Sequence, residues 1–147
     1  MIHKSAAVLE SREGEKMSDN KHAVKAFYDA VAGGNIPAVL GLIDPQCTWN
    51  EAENFIYADG NPYIGPQAVL MGVFARFAGE WNGFSATSES MTAEGDTVIS
   101  QGRYRATYKA TGKSIDAPFA HVFTLKDGKI VRFQQYTDTA QFRDAVS

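Results

Sequence analysis

The C-terminal part of the chain constrains the fold most, because from Phe84 onward the apolar residues stop following helical spacing and begin to alternate. Four such runs follow one another, Phe84–Ala93, Thr97–Lys109, Ser114–Leu125 and Lys129–Thr137, separated by Glu94-Gly95-Asp96, Thr111-Gly112 and Asp127-Gly128. Short glycine-containing breaks between β-rich runs join antiparallel neighbours, so an antiparallel meander is expected here. A meander with one apolar face has to cover that face, and helices are the means available to a chain of this order.

The helices precede the meander. Val24, Phe27, Tyr28 and Val31 fall at i, i+3, i+4 and i+7, Ser18-Asp19-Asn20 offers N-caps, and Gly33-Gly34 offers a stop, which predicts a helix over 19–32. Asn35 caps a second, short helix with Pro37 in its first turn, ending near Asp44-Pro45. Gly65-Pro66 opens a third helix that carries Val69, Leu70, Val73, Phe74 and Phe77 at helical spacing. Between them, Cys47–Glu51 reads as a strand with Cys47, Trp49 and Glu51 on one face, and residues 52–65 read as a long loop holding Phe55, Tyr57 and Tyr63. A last helix is expected over Thr139–Val146, capped by Asp138. The class is α+β, with a curved antiparallel sheet around helices.

A chain of 147 residues suits one domain, placed at 18–147, with residues 1–17 as a flexible N-terminal extension and Met17 as a candidate start. The net charge is −3 and the Lys and Arg residues form no run, so no footprint for a phosphate backbone is present and nucleic acid is not an expected partner. The apolar patch Ala6–Leu9 is too short to span a membrane, and Cys47 has no second cysteine to pair with, so a buried thiol and a cytoplasmic location are expected. The histidines are scattered as His3, His22 and His121, without metal-ligand spacing, and no nucleotide or nucleophile-elbow motif occurs. No metal or cofactor is expected.

Four segments resemble the ketosteroid isomerase-related, SnoaL-like proteins of the nuclear transport factor 2 superfamily. They are Phe27-Tyr28 through Gly34-Asn35, Thr48-Trp49-Asn50-Glu51, Pro62-Tyr63-Ile64-Gly65-Pro66, and Ala117 through Phe133, and the likeness covers residues 18–146. It implies a cone-shaped domain with a single internal pocket for a small apolar molecule. Ketosteroid isomerase moves a proton beside a ketone with a carboxylate base and an oxyanion hole of a tyrosine and a protonated aspartate. Carried onto this chain, the base falls on Glu51, the tyrosine on Phe27 and the aspartate on Ala120, so one role of three survives.

Glu51 is therefore the leading candidate for general base, because a carboxyl among aromatic groups has its charged form penalised and its pKa raised. His121 has the titration range for acid–base work. Its strand has two faces compatible with burial, Phe119-His121-Phe123 and Ala120-Val122-Thr124; the family pattern turns Ala120 and Val122 to the pocket and His121 away. Asp138 is a candidate at the cavity mouth as well as a helix cap. The expected ligand-binding set is Phe27, Trp49, Phe55, Tyr57, Tyr63, Phe74, Phe77, Ala120, Val122, Phe133 and Gln135, with Tyr57, Tyr63, His121 and Gln135 as alternative hydrogen-bonding tips. Two functions fit: proton transfer on a small carbonyl compound, or a non-catalytic module that binds a small molecule or a protein. Large side chains on both faces of 119–125 imply a homodimer through the sheet.

Overall fold

The computed structural model describes the backbone of residues 2–147 and the side chains of residues 8–147. Helix α1 spans Ile2–Ala32 and α2 spans Ile36–Gly41; strand β1, Ile43–Asn50, follows directly. A loop with a 3-10 turn at Ala58–Gly60 leads to the two-residue strand β2, Tyr63–Ile64. A continuous helical stretch comes next: α3 at Gly65–Val69, a π-helical turn at Leu70–Phe74, and α4 at Ala75–Glu80. The chain ends with β3 (Trp81–Glu94), β4 (Thr97–Tyr108), β5 (Ser114–Lys126), β6 (Lys129–Thr137) and α5 (Thr139–Val146).

The expected meander is present, as β3 to β6. The strands form one six-stranded sheet in the order β2-β1-β6-β5-β4-β3, with β1 parallel to β6 and every other neighbouring pair antiparallel. Register shifts between Asn82 and Ser85, between Ser88 and Ser90, and between Thr124 and Leu125 mark bulges. Bulges bend a strand and increase its twist, which lets this sheet curve around the helices without closing. At the centre, Gly102 lies opposite Phe119, and a Cβ on Gly102 would meet the Thr87 carbonyl oxygen at 1.9 Å and the Phe119 ring at 2.7 Å. Only a residue without a side chain fits there.

Helix α1 is longer than the predicted 19–32. Apart from Gly14, residues 8–17 are mostly good helix formers, so the helix reads through the cap signals at Ser18-Asp19-Asn20, and no break marks residue 17. Its exposed Lys16 pairs with Asp96 in the β3–β4 turn. The stop at the other end is as expected, with Gly34 in the left-handed region at φ 65°. Strand β1 starts at Ile43 rather than Cys47, because Ile43 pairs with Ile130 and the Leu42 carbonyl accepts the Ile130 N–H. No helix among the described residues is long and apolar enough to cross a membrane.

The stripe Val24, Phe27 and Tyr28 packs α1 against β3 and β4, and the inner face of the sheet completes one core. Cys47 is fully buried in it. Burial pushes its thiol up to about 12, so the sulfur acts as a small apolar group.

Candidate active site

Glu51 follows the last residue of β1 and inherits its alternation: Cys47, Trp49 and Glu51 are buried, while Thr48 and Asn50 are less so. Two amide side chains hold the backbone there. Asn61 Oδ1 accepts the Glu51 N–H at 3.0 Å and Asn61 Nδ2 donates to the Glu51 carbonyl at 2.8 Å, while Gln135 Oε1 accepts the Ala52 N–H at 3.1 Å. With its main chain tied on both sides, Glu51 projects its carboxyl inward, where it is only 2% exposed.

Burial pushes the Glu51 carboxyl up to about 8, and the nearby Trp49 indole N–H offsets this in part. Neither Trp49 Nε1 nor Glu51 Oε2 reaches a hydrogen-bond partner. Among the described residues only three buried side-chain polar atoms are unpartnered; the third is Asn20 Nδ2. An unpartnered buried carboxyl oxygen is costly to a fold, on the order of 1–3 kcal/mol or more, so its presence calls for a functional explanation.

His121, on β5, is the second polar group of the interior. Its Nδ1 lies 2.7 Å from the Tyr28 hydroxyl and its Nε2 lies 2.5 Å from the Tyr104 hydroxyl, which also accepts Gln135 Nε2 at 3.0 Å. The imidazole is stacked on Phe119 at 3.9 Å. Burial holds it down to about 3, so it is neutral, with one ring nitrogen donating and one accepting.

Glu51, His121, Tyr28 and Tyr104 line a cavity of about 30 Å³ whose walls are otherwise apolar: Phe27, Val31, Trp49, Val73, Phe74, Phe77, Phe84, Ala86 and Phe133. Trp49 and Phe133 stack across the parallel β1–β6 pair at 3.7 Å. The π-helical turn brings Val73 and Phe74 to the wall; such turns recur at functional sites. The cavity has room for roughly one or two waters. Beyond Val31, Phe74, Phe77 and Phe84 lies an apolar surface groove of about 380 Å³, so those four side chains separate cavity from groove.

The family model for the SnoaL-like domain matches residues 24–133, which includes Glu51, Tyr104 and His121. The chain belongs to the SnoaL-like domain family. An NTF2-like protein from Burkholderia thailandensis E264 superposes with a TM-score of 0.82 at 34% identity, over 87% of this chain and 97% of that one. TerC, co-crystallised with polyporic acid, superposes at 0.78 with 23% identity, over 87% and 98%. A putative SnoaL-like polyketide cyclase from Jannaschia sp. CCS1 does so at 0.76 with 20% identity, over 89% and 93%. No curated protein matches the chain.

The structure brings Glu51, His121, Phe27, Trp49, Phe74, Phe77 and Phe133 together around the cavity, with Gln135 just behind it. It reverses the expectation for β5. Phe119, His121 and Phe123 face inward and are buried, whereas Ala120 and Val122 lie on the sheet's outer face. The reason is packing, since the inner face stacks its rings on Tyr28 and Phe133, and a small alanine or valine there would leave a void.

The loop aromatics are elsewhere too. Phe55 packs on Phe142 at 4.7 Å, Tyr57 accepts the Trp81 indole N–H at 3.1 Å, and Tyr63 donates to the Tyr57 carbonyl at 2.6 Å, so none of the three lines the cavity. Asp138 is exposed at the start of α5; its carboxylate accepts Gln141 Nε2 at 3.0 Å and makes no capping bond to the backbone. Sequence reasoning passed over Tyr28 and Tyr104 as site residues. The signal was present: Tyr28 lies in the helical stripe, and Tyr104 shares a strand face with Val98, Gly102 and Ala106, all buried.

Proposed function

We propose that this chain holds a small, largely apolar carbonyl compound against Glu51 and moves a proton on it, the chemistry of an isomerase, cyclase or related lyase. The observation that carries this reading is the Glu51 carboxyl, buried among aromatic rings with an unpartnered oxygen at a cavity wall. A carboxyl pushed up to about 8 is poised near neutral pH to take a proton and to return it. Such a ligand exceeds the 30 Å³ of the cavity, so the reading requires an opening motion: turning Phe74 and Phe84 would join the cavity to the adjacent groove of about 380 Å³, and their combined space falls in the range of ~300–1,000 Å³ usual for small-molecule sites.

The test is a thermal-stability screen of the wild type and Glu51→Gln against steroids, aromatic polyketides and polyporic acid. A binder at a hundred times its dissociation constant adds ~2.7 kcal/mol. Compounds that stabilise both proteins are then assayed for turnover. Glu51→Gln is expected to bind them and to lose turnover by roughly 10²–10⁴-fold; retained turnover overturns the assignment. In the wild type kcat/KM is expected to rise with pH as the carboxylate forms and to level off above about 8.

Phe27 and Ala120 at the two oxyanion-donor positions favour a second reading, a non-catalytic module that binds a small molecule or a protein. Stabilisation with no conversion on prolonged incubation supports that reading. We further propose a homodimer through the outer sheet face, where Ile99 pairs with Val122 and Ala120 with Tyr136, and Ile99 and Tyr136 are 40% and 56% exposed. Light scattering at micromolar concentration is expected to show a dimer; a monomer contradicts it.

A further inference from the structure

The hydrogen bonds around His121 tie the role of Tyr104 to the tautomer of the imidazole. Gln135 Oε1 accepts the Ala52 N–H, so the other end of its amide, Nε2, is the end that donates to the Tyr104 oxygen. That fills one lone pair of the Tyr104 hydroxyl. The same oxygen lies against His121 Nε2, while Tyr28 lies against Nδ1. A neutral imidazole carries one N–H. When Tyr28 donates to Nδ1, Nε2–H donates to Tyr104, both lone pairs of Tyr104 are filled from within the protein, and its own O–H has no acceptor in this network. Tyr104 lines the same cavity as Glu51.

We infer that His121 is the Nε2–H tautomer and that Tyr104 donates the hydrogen bond that holds the carbonyl oxygen of a ligand in this cavity, with Gln135 and His121 as positioning residues that turn its O–H inward. The inference rests on the cavity reading above and supplies the donor that Phe27 and Ala120 cannot. The ligand's C–H bond breaks as its proton passes to the Glu51 carboxylate, and the electron pair moves onto the carbonyl oxygen. Tyr104 stabilises that oxygen by a hydrogen bond and keeps its own proton. A new C–H bond then forms as the Glu51 proton returns to a neighbouring carbon, and the carboxylate is restored. Donors aimed at a developing enolate usually carry a large share of the rate enhancement.

The probes are ring-substituted 2-naphthols of graded acidity, whose naphtholate oxygen stands in for an enolate oxygen, with naphthalene as the control that lacks it. Tyr104→Phe is expected to weaken naphtholate binding by roughly 10–100-fold and to leave naphthalene binding within about twofold. Gln135→Leu is expected to weaken naphtholate binding to a smaller extent, again sparing naphthalene. Unchanged naphtholate binding in Tyr104→Phe overturns the inference alone, whatever Glu51→Gln does to turnover. Binding of neither probe by the wild type overturns the cavity reading and the inference with it. A nitrogen-15 NMR spectrum of His121 in the wild-type naphtholate complex gives a check free of folding defects: Nε2–H is the expected tautomer, and Nδ1–H overturns the inference.

Discussion

In the loop after β1 and the short β2 that ends it, each tyrosine hydroxyl is bound within the protein: Tyr63 to the Tyr57 carbonyl, Tyr57 to the Trp81 indole. Around Glu51 the same kinds of side chain leave polar atoms over. Glu51 Oε2 and Trp49 Nε1 have no partner, and both residues line a cavity. Both regions are aromatic and buried, so composition does not separate them. Hydrogen-bond satisfaction does: the loop hydroxyls are paired within the protein, whereas the cavity wall keeps polar atoms over, which is what the proposed ligand site rests on.

The cavity side of the comparison is tested by the dependence of stability on pH. Glu51, raised to about 8, contributes stability that is complete below about 4.5 and is lost as pH rises through 8. His121, lowered to about 3, contributes stability that is complete above about 6.5 and is lost as pH falls through 3. From these two groups the opposing slopes cancel between the two unfolded-state values, so a plateau is expected from about pH 4.5 to 6.5, falling by on the order of 2 kcal/mol towards pH 8 and again towards pH 3. In Glu51→Gln the alkaline fall disappears and the acid-side rise continues at the same slope through the former plateau up to about pH 6.5. Denaturant midpoints across pH measure both; an alkaline fall that survives Glu51→Gln breaks the contrast between cavity and loop.

Phe142→Ala tests the scaffold side, with the largest expected loss of stability. The ring is fully buried against Phe55, Trp81 and Tyr104, and its loss is expected to cost about 3–5 kcal/mol. The smallest effect comes from Tyr63→Phe, which deletes the hydroxyl that donates to Tyr57 and accepts the Gly60 N–H. About 1–2 kcal/mol of stability is expected to go, with ligand binding intact. Lost binding without lost stability in Tyr63→Phe would place the loop in the site.

Much of this was legible beforehand. The meander, its turns and the final helix follow from alternation and glycine placement, because those signals are local and each is short in range. The inward turn of Trp49 was legible for the same reason, since a strand with one apolar face has a single workable orientation, whereas that of Glu51 rested on the resemblance to the SnoaL-like proteins. On β5 the alternation carried no such information, as Phe119, His121 and Phe123 oppose Ala120, Val122 and Thr124 with apolar bulk on both faces.

The chain by itself determined the order of elements, the antiparallel meander and a carboxyl at the end of β1, since all three are set by neighbours in sequence. Tertiary structure alone decided that His121 turns inward, that Tyr28, Tyr104 and Gln135 meet it from three other elements, and that the loop tyrosines turn away. Those outcomes depend on contacts between residues far apart along the chain, such as Tyr28 with His121 and Ala52 with Gln135. A hydrogen bond of that kind has no signature in local periodicity; it exists only once the sheet has wrapped around α1 and burial has made an unpaired polar atom expensive.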